Sequence, residues 1–354
     1  MSSPLASVAR AMVAPGKGIL AADESIGTAN KRFAPFDIPQ TEEMRRTYRE
    51  MLFTAPHFGD TFSGVILYDE TIRQKASDGR TLVQVLQAAG SLPGIKVDTG
   101  VHPLPLAGPD EKITEGLDGL QQRVAEYVGL GAKFAKWRAV ITIDEATGIP
   151  SDGCIRANAQ ALARYAATCQ AGGLVPIVEP EVLMDGEHAR HSLATSFAVH
   201  ERTLRIVFEA LASQHVRFEE MVLKPSMVIP GQKSGESASV REVADATLEV
   251  LLRWVPAAVA GIAFLSGGQD DDDATAHLNE INVRARERRA PWPLTFSYGR
   301  ALQHPALTRW HGKPENVAAA QAVLALRGKM NSLAALGKWS PEAEREAELV
   351  GAGR

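Results

Sequence analysis

The chain has 354 residues, 45% of them apolar, a formal charge of -4 and only two cysteines, Cys154 and Cys169. That length buries a full core, and the near-balanced charge carries no bias toward nucleic acid. The cysteines are not spaced C-x-x-C and no apolar run is long enough to span a bilayer, so a disulfide scaffold, a cysteine zinc site and a membrane span are all excluded.

Residues 1–18 contain no compact apolar segment ending in a small-residue cleavage site, so a cytoplasmic protein is expected. The first apolar run, 18–23, ends in Asp23 and passes through Glu24 and Ser25 into a turn followed by Lys31 and Arg32. Thr41 before Glu42 and Glu43 has the form of a helix N-cap with an acidic first turn, and Met44, Tyr48, Met51 and Leu52 fall on one face of that helix. A second run, 64–69, ends in Asp69, and 82–89 predicts a short helix before Gly90. The third, 94–98, carries Lys96 and ends on Asp98. Behind it Ile113, Leu117, Leu120, Val124 and Val128 recur at helical spacing up to Gly129 and Gly131.

The fourth run, 134–140, delivers Lys136 and Arg138. An alanine-rich helix over 155–171 stops at Gly172 and Gly173, and the fifth run, 174–181, exits through Glu179 and Glu181. A long helix follows, with Leu193, Phe197, Leu204, Val207 and Leu211 as its buried stripe. The sixth run, 221–226, delivers Lys224 at its end and stops at Pro225. An ammonium at the edge of an apolar core costs free energy unless it is paired or loses its proton, and a neutral lysine amine attacks carbonyls. A lone lysine of this kind is more often a snorkelling or ion-paired side chain.

Val240, Val243, Leu248, Leu251 and Val255 mark a helix closed by Pro256. The seventh run, 261–265, opens into Ser266-Gly267-Gly268-Gln269. The acidic stretch Asp270 to Asp273 is read as a helix start, the eighth run, 293–297, leads into Tyr298-Gly299-Arg300, and helices over 301–310 and 314–336 follow.

Eight short apolar strands alternating with helices predict an α/β protein with a (β/α)8 TIM barrel; the rival, a doubly wound open sheet, lacks a G-x-G-x-x-G turn after the first strand. No repeat or low-complexity linker interrupts the chain, so one domain is expected over 1–354, with a short N-terminal extension and a tail from about 337. Barrels build their sites at the C-terminal ends of the strands, where Asp23, Lys96, Lys136, Arg138, Glu179, Glu181, Lys224, Ser266, Ser297 and Arg300 would converge. That convergence argues against a purely structural role for each. The two glycine turns, with Arg300, suit a phosphate, and Ser25, Lys31 and Arg32 suit a second anion across the mouth. His188 and His191 stand three apart without a third ligand placed by any motif, so no metal is expected.

Seven segments then resemble, in order, the signature segments of class I fructose-bisphosphate aldolases: 19–25, 94–98, 134–138, 178–181, 223–225, 264–269 and 296–302. The resemblance spans about 13–336. It implies a cofactor-free, metal-free, reversible cleavage of fructose 1,6-bisphosphate, used in glycolysis and gluconeogenesis, by a homotetramer whose partner is a sugar phosphate and neither nucleic acid nor membrane. The residues alone leave Lys96, Lys136 and Lys224 all open as the nucleophile. The resemblance implies that Lys224 forms the Schiff base, Lys136 tunes it, Glu179 and Glu181 handle protons at the carbinolamine, and Asp23 takes the C4 hydroxyl proton. It further implies a C1-phosphate cradle of Ser266, Gly267, Gly268, Ser297, Gly299 and Arg300, and a C6-phosphate side of Ser25, Thr28, Arg32 and Lys96, with Arg138 at the substrate. Animal members end in a tyrosine that assists proton exchange on the enamine; this chain ends without one, its last tyrosine being Tyr298. The rivals are a transaldolase-like Schiff-base enzyme, a non-catalytic scaffold on the same fold, and a metal-dependent aldolase.

Overall fold

The computed structural model describes residues 3–345. The end of the expected tail, with its tyrosine-free terminus, lies outside the described residues. Eight parallel strands close into a barrel: β1 Gly18–Ala22, β2 Phe62–Leu67, β3 Leu92–Lys96, β4 Phe134–Ile141, β5 Val175–Val182, β6 Val222–Leu223, β7 Ile262–Phe264 and β8 Leu294–Tyr298. Closure is made where Ile19 of β1 registers with Ser297 of β8. The expected (β/α)8 barrel is therefore the fold.

Side chains alternate across a strand, so every second residue faces the barrel axis. Ile19, Ala21, Ile66, Phe134, Val175, Ile177, Val222 and Ala263 form one buried inner cluster. Continuing the same faces by steps of two leads from Ala21 to Asp23, from Phe134 to Lys136 and Arg138, from Ile177 to Glu179 and Glu181, and from Val222 to Lys224. The inner face is thus apolar at the bottom and charged at the top. Gly94 leaves room in this layer: a Cβ there would lie 2.1 Å from the Phe134 ring. Gly94→Ala should therefore destabilise the fold by about 1–3 kcal/mol through overpacking, read as a lower denaturant midpoint at unchanged slope.

The bottom is plugged by a helix that the sequence reading did not find, Pro4–Met12, capped by Ser3, whose side chain accepts from the Ala6 N–H. Its Ala9 and Met12, with Val13, join the inner cluster, and Ser63 Oγ donates to the Met12 carbonyl at 2.6 Å. A second larger core lies between strands and outer helices. The helix predicted behind Thr41 is Glu42–Phe53, with Thr41 accepting from Met44 N. The acidic stretch opens helix Asp271–Glu287, where three carboxylates meet the positive end of the dipole.

The helix is shorter than the spacing from Ile113 to Val128 predicts. Ile113 belongs to a two-stranded antiparallel hairpin, Gly100–Pro103 with Lys112–Glu115, and the helix runs only over Leu120–Gly129 after Gly119 at φ +64°. Thr114 Oγ1 donates to the Arg138 carbonyl at 2.7 Å, which fastens the hairpin to the barrel top. Likewise Ile26–Phe33, read as part of a turn, is a helix capped by Ser25.

Strand β6 is two residues long because Pro225 has no N–H to extend the ladder. Lys224 N still donates to the Val178 carbonyl at 2.8 Å, and the Ser226 hydroxyl then donates to Val182 O and accepts from Val182 N, both at 2.9 Å. These bonds hold Lys224 against the exit of β5.

Candidate active site

The charged tops of the strands enclose a cavity of about 490 Å³. At its floor Lys224 Nζ lies 3.1 Å from Glu179 Oε1, and Lys136 Nζ lies 2.7 Å from Asp23 Oδ2 and 3.4 Å from Glu179 Oε2. Lys224, Lys136 and Glu179 are buried and Asp23 nearly so. Four charges in alternation thus offset one another where single burial of any would be costly. Burial alone would raise the Asp23 carboxyl, but Lys136, and behind it Lys224, outweigh burial and hold it well below the usual carboxylate range. Burial would lower the Lys136 ammonium, but Asp23 and Glu179 outweigh it and push Lys136 above its ordinary value. Lys136 therefore stays charged at neutral pH.

The third strand-end lysine is tied differently. Lys96 Nζ lies 2.5 Å from Asp98 Oδ1 and donates to the Asp98 carbonyl at 2.8 Å. Arg138 pairs with Glu181 through Nε. Lys224 and Lys96 each meet one carboxylate, and Lys224 shares its partner, Glu179, with Lys136.

Two anion-receptive corners flank the floor. On one side Gly267 adopts φ +56°, Gly299 caps the helix Arg300–Trp310, and Arg300 donates to the Gly267 carbonyl at 2.7 Å. Ser297 Oγ, buried in this corner, has no hydrogen-bond partner within the described residues, so a ligand oxygen there would satisfy it. On the other side Ser25 accepts from Thr28 N at 3.3 Å as the N-cap of helix Ile26–Phe33, and Arg32, on the same helix, pairs with Glu24 at 2.5 Å.

The cavity is lined by every predicted site residue except Gly268 and Lys31. Gly268 instead packs behind the cradle, where a Cβ would lie 2.7 Å from Gln232 Nε2 and 2.8 Å from Asp185 Cβ. Lys31 is exposed and outside the lining. The lining also contains Glu24, Asp98, Asp185 and Tyr68, which the sequence pattern does not mark as site residues. Glu24 follows Asp23 and Asp98 stands two residues after Lys96, so strand-end position is the sequence signal that points to both. His188 is 2.9 Å from Asp110 and 3.3 Å from Asp144, whereas His191 is buried; among the described residues no three His, Cys, Asp or Glu groups are placed to hold a metal.

The family model for fructose-bisphosphate aldolase class-I matches residues 4–351. The chain belongs to the class I fructose-bisphosphate aldolase family. It is 56% identical over 337 residues to a protein of Xanthomonas axonopodis pv. citri (strain 306) named "Probable fructose-bisphosphate aldolase class 1", covering 95% of this chain and 98% of that one. To the fructose-bisphosphate aldolase of Echinococcus multilocularis it is 52% identical over 341 residues, covering 96% and 92%. The Plasmodium falciparum aldolase, solved in complex with TRAP and a small-molecule inhibitor, superposes with a TM-score of 0.92 at 46% identity over 95% of each chain. Among the described residues no helix is long and apolar enough to cross a membrane.

Proposed function

We propose that the chain reversibly cleaves fructose 1,6-bisphosphate to dihydroxyacetone phosphate and glyceraldehyde 3-phosphate through a Schiff base on Lys224. The observation that carries the choice of lysine is the unequal tethering of the three strand-end ammonium groups. Lys96 is tied to Asp98 by both its carboxylate and its carbonyl, and Lys136 is held protonated by two carboxylates and so offers no free electron pair. Lys224 has only Glu179, at 3.1 Å, and that carboxylate is the group that takes its proton.

The neutral Lys224 amine adds to the C2 carbonyl, Glu179 with Glu181 behind it passes protons to the carbinolamine oxygen, and water leaves to give a protonated imine. Asp23 removes the C4 hydroxyl proton; the C4 aldehyde forms as the C3–C4 pair moves into the enamine, and the imine nitrogen accepts the displaced electrons. Glyceraldehyde 3-phosphate departs, the enamine is protonated at C3, and water returns dihydroxyacetone phosphate and the free lysine. Lys136 keeps a fixed positive charge beside both carboxylates and the new imine. Ser266, Gly267, Ser297, Gly299 and Arg300, with Gly268 supporting them from behind, take the C1 phosphate. Ser25, Thr28, Arg32 and Lys96 face the C6 phosphate, and Arg138 faces the sugar hydroxyls. Remote phosphate binding of this kind orients the carbonyl against the amine.

Borohydride reduction in the presence of dihydroxyacetone phosphate, followed by peptide mass mapping, should place one adduct on the peptide carrying Lys224. An adduct on Lys96 or Lys136, or none from active enzyme, would overturn the assignment. By family resemblance the enzyme works as a cytoplasmic homotetramer of one-domain subunits, each a barrel with an N-terminal extension and a C-terminal tail. Sedimentation equilibrium returning a smaller assembly would count against the tetramer.

A further inference from the structure

We propose that Arg49, buried behind the mouth, sets the net charge of the second anion subsite and with it the preference for a ketose bisphosphate over a ketose monophosphate. The inference rests on the reading of Arg32 as a contact of the substrate's distal phosphate.

Arg32 does not stand alone in its corner. Its NH1 lies 2.5 Å from Glu24 Oε1, and the Glu24 side chain is only 6% exposed. A lone Glu24–Arg32 pair would be neutral, and a phosphate reaching Arg32 would meet a carboxylate directly beside that cation. Repulsion would cancel much of the attraction. The structure avoids this with a second guanidinium. Arg49, whose side chain is 4% exposed, donates through NH2 to the other oxygen, Glu24 Oε2. Its Cζ lies 5.5 Å from the Tyr48 ring centroid, so the side chain is walled off from the mouth. Gln303 completes the cluster from helix Arg300–Trp310: its Nε2 donates to Glu24 Oε1 at 2.7 Å and to the Ala21 carbonyl at 2.6 Å, and its Oε1 accepts from Arg49 NH1 at 3.5 Å.

One carboxylate thus serves two arginines, which leaves one net positive charge in the corner. Arg49 is buried, so this charge is presented by Arg32, which is 32% exposed and lines the cavity. The neighbouring Lys96 and Asp98 cancel each other. Burial alone would raise the Glu24 carboxyl, but Arg49 and then Arg32 outweigh it and hold it below its ordinary value, so it stays charged and the count holds at neutral pH. Arg49 reaches no cavity-lining position itself. It is a positioning residue that acts through Glu24 and Arg32, and only a substrate with a second phosphate registers the difference.

Arg49→Met makes the corner neutral. The ratio of KM for fructose 1,6-bisphosphate to KM for fructose 1-phosphate should rise about tenfold, since one charge-assisted phosphate contact is opposed. The double variant Glu24→Gln with Arg49→Met removes the buried pair together, leaves Arg32 as a single uncompensated cation and should bring the ratio back to within about threefold of wild type. A merely structural role for Arg49 would degrade both substrates alike or leave the double variant as impaired as the single one, and either result would overturn the proposal. Should the single variant fail to fold, a tenfold raised ratio in the double variant is by itself enough to overturn it. Wild-type protein that cleaves neither ketose phosphate would sink the underlying aldolase reading, and this inference with it.

Discussion

Lys224→Ala should lose cleavage of fructose 1,6-bisphosphate by about four orders of magnitude or more while keeping its fold. On the proposed mechanism no imine forms without the amine, and the C3–C4 electron pair then has no sink; positioning and Asp23 alone would not supply one. The fold is spared because Glu179 retains Lys136 at 3.4 Å, so the buried carboxylate is not left without a cation. Lys224→Arg should be as inactive as the alanine variant, since a guanidinium holds its proton and presents no free pair, although it keeps the charge next to Glu179. A coupled assay for triose phosphate, read with thermal unfolding of each variant, checks both statements. Cleavage retained by either folded variant above about one part in a hundred would remove Lys224 from the chemistry.

The barrel was legible because parallel strands buried on both faces appear as short continuous apolar runs, and because each run carries its charges only at one end. Lys136 and Arg138 behind Phe134, or Glu179 and Glu181 behind Ile177, declare the inward face by their step of two. What stayed hidden depends on tertiary context. Ile113 fits a helical stripe by spacing, yet it pairs with His102 in a hairpin anchored by Thr114 to the Arg138 carbonyl. The helix Pro4–Met12 is short and earns its burial only from the open bottom of the barrel. Gly268 and Gly267 look equivalent in sequence, but one lines the mouth and the other packs on Gln232 and Asp185. The cluster of Glu24, Arg49 and Gln303 joins the loop after β1 to two separate helices, and nothing in the local pattern around Arg49 distinguishes it from Arg45 or Arg46 on the same helix.

Lys136→Met should show how far the protonation states of this site depend on one ammonium. At 2.7 Å from Asp23 and 3.4 Å from Glu179, Lys136 is the main reason the Asp23 carboxyl stays ionised despite burial. Its removal leaves burial as the leading influence on Asp23, so the carboxyl should move upward and its proposed base function should be lost over a wider acidic range. The turnover number should fall by about a thousandfold, as expected when a general base is disabled. An acidic limb should also appear in the pH–rate profile where the wild type is flat. The stability signs follow from the same pair. Asp23 titrates lower folded than unfolded, so its contribution is present above its ordinary value of 3.8 and lost as pH falls through the folded value. Lys136 titrates higher folded than unfolded, so its contribution is full below 10.5 and lost only as pH rises through the folded value. Between those limits the wild type should show a constant contribution from the pair, and the variant should be less stable by about 3–5 kcal/mol, the usual cost of orphaning a buried charge. That deficit should shrink as pH falls and Asp23 becomes neutral in the variant. Denaturant titrations from pH 4 to 9, with rates measured across the same range, separate the outcomes. A variant with wild-type stability at pH 7 and a pH–rate profile as flat as that of the wild type would mean that Lys136 does not hold Asp23 in its charged state.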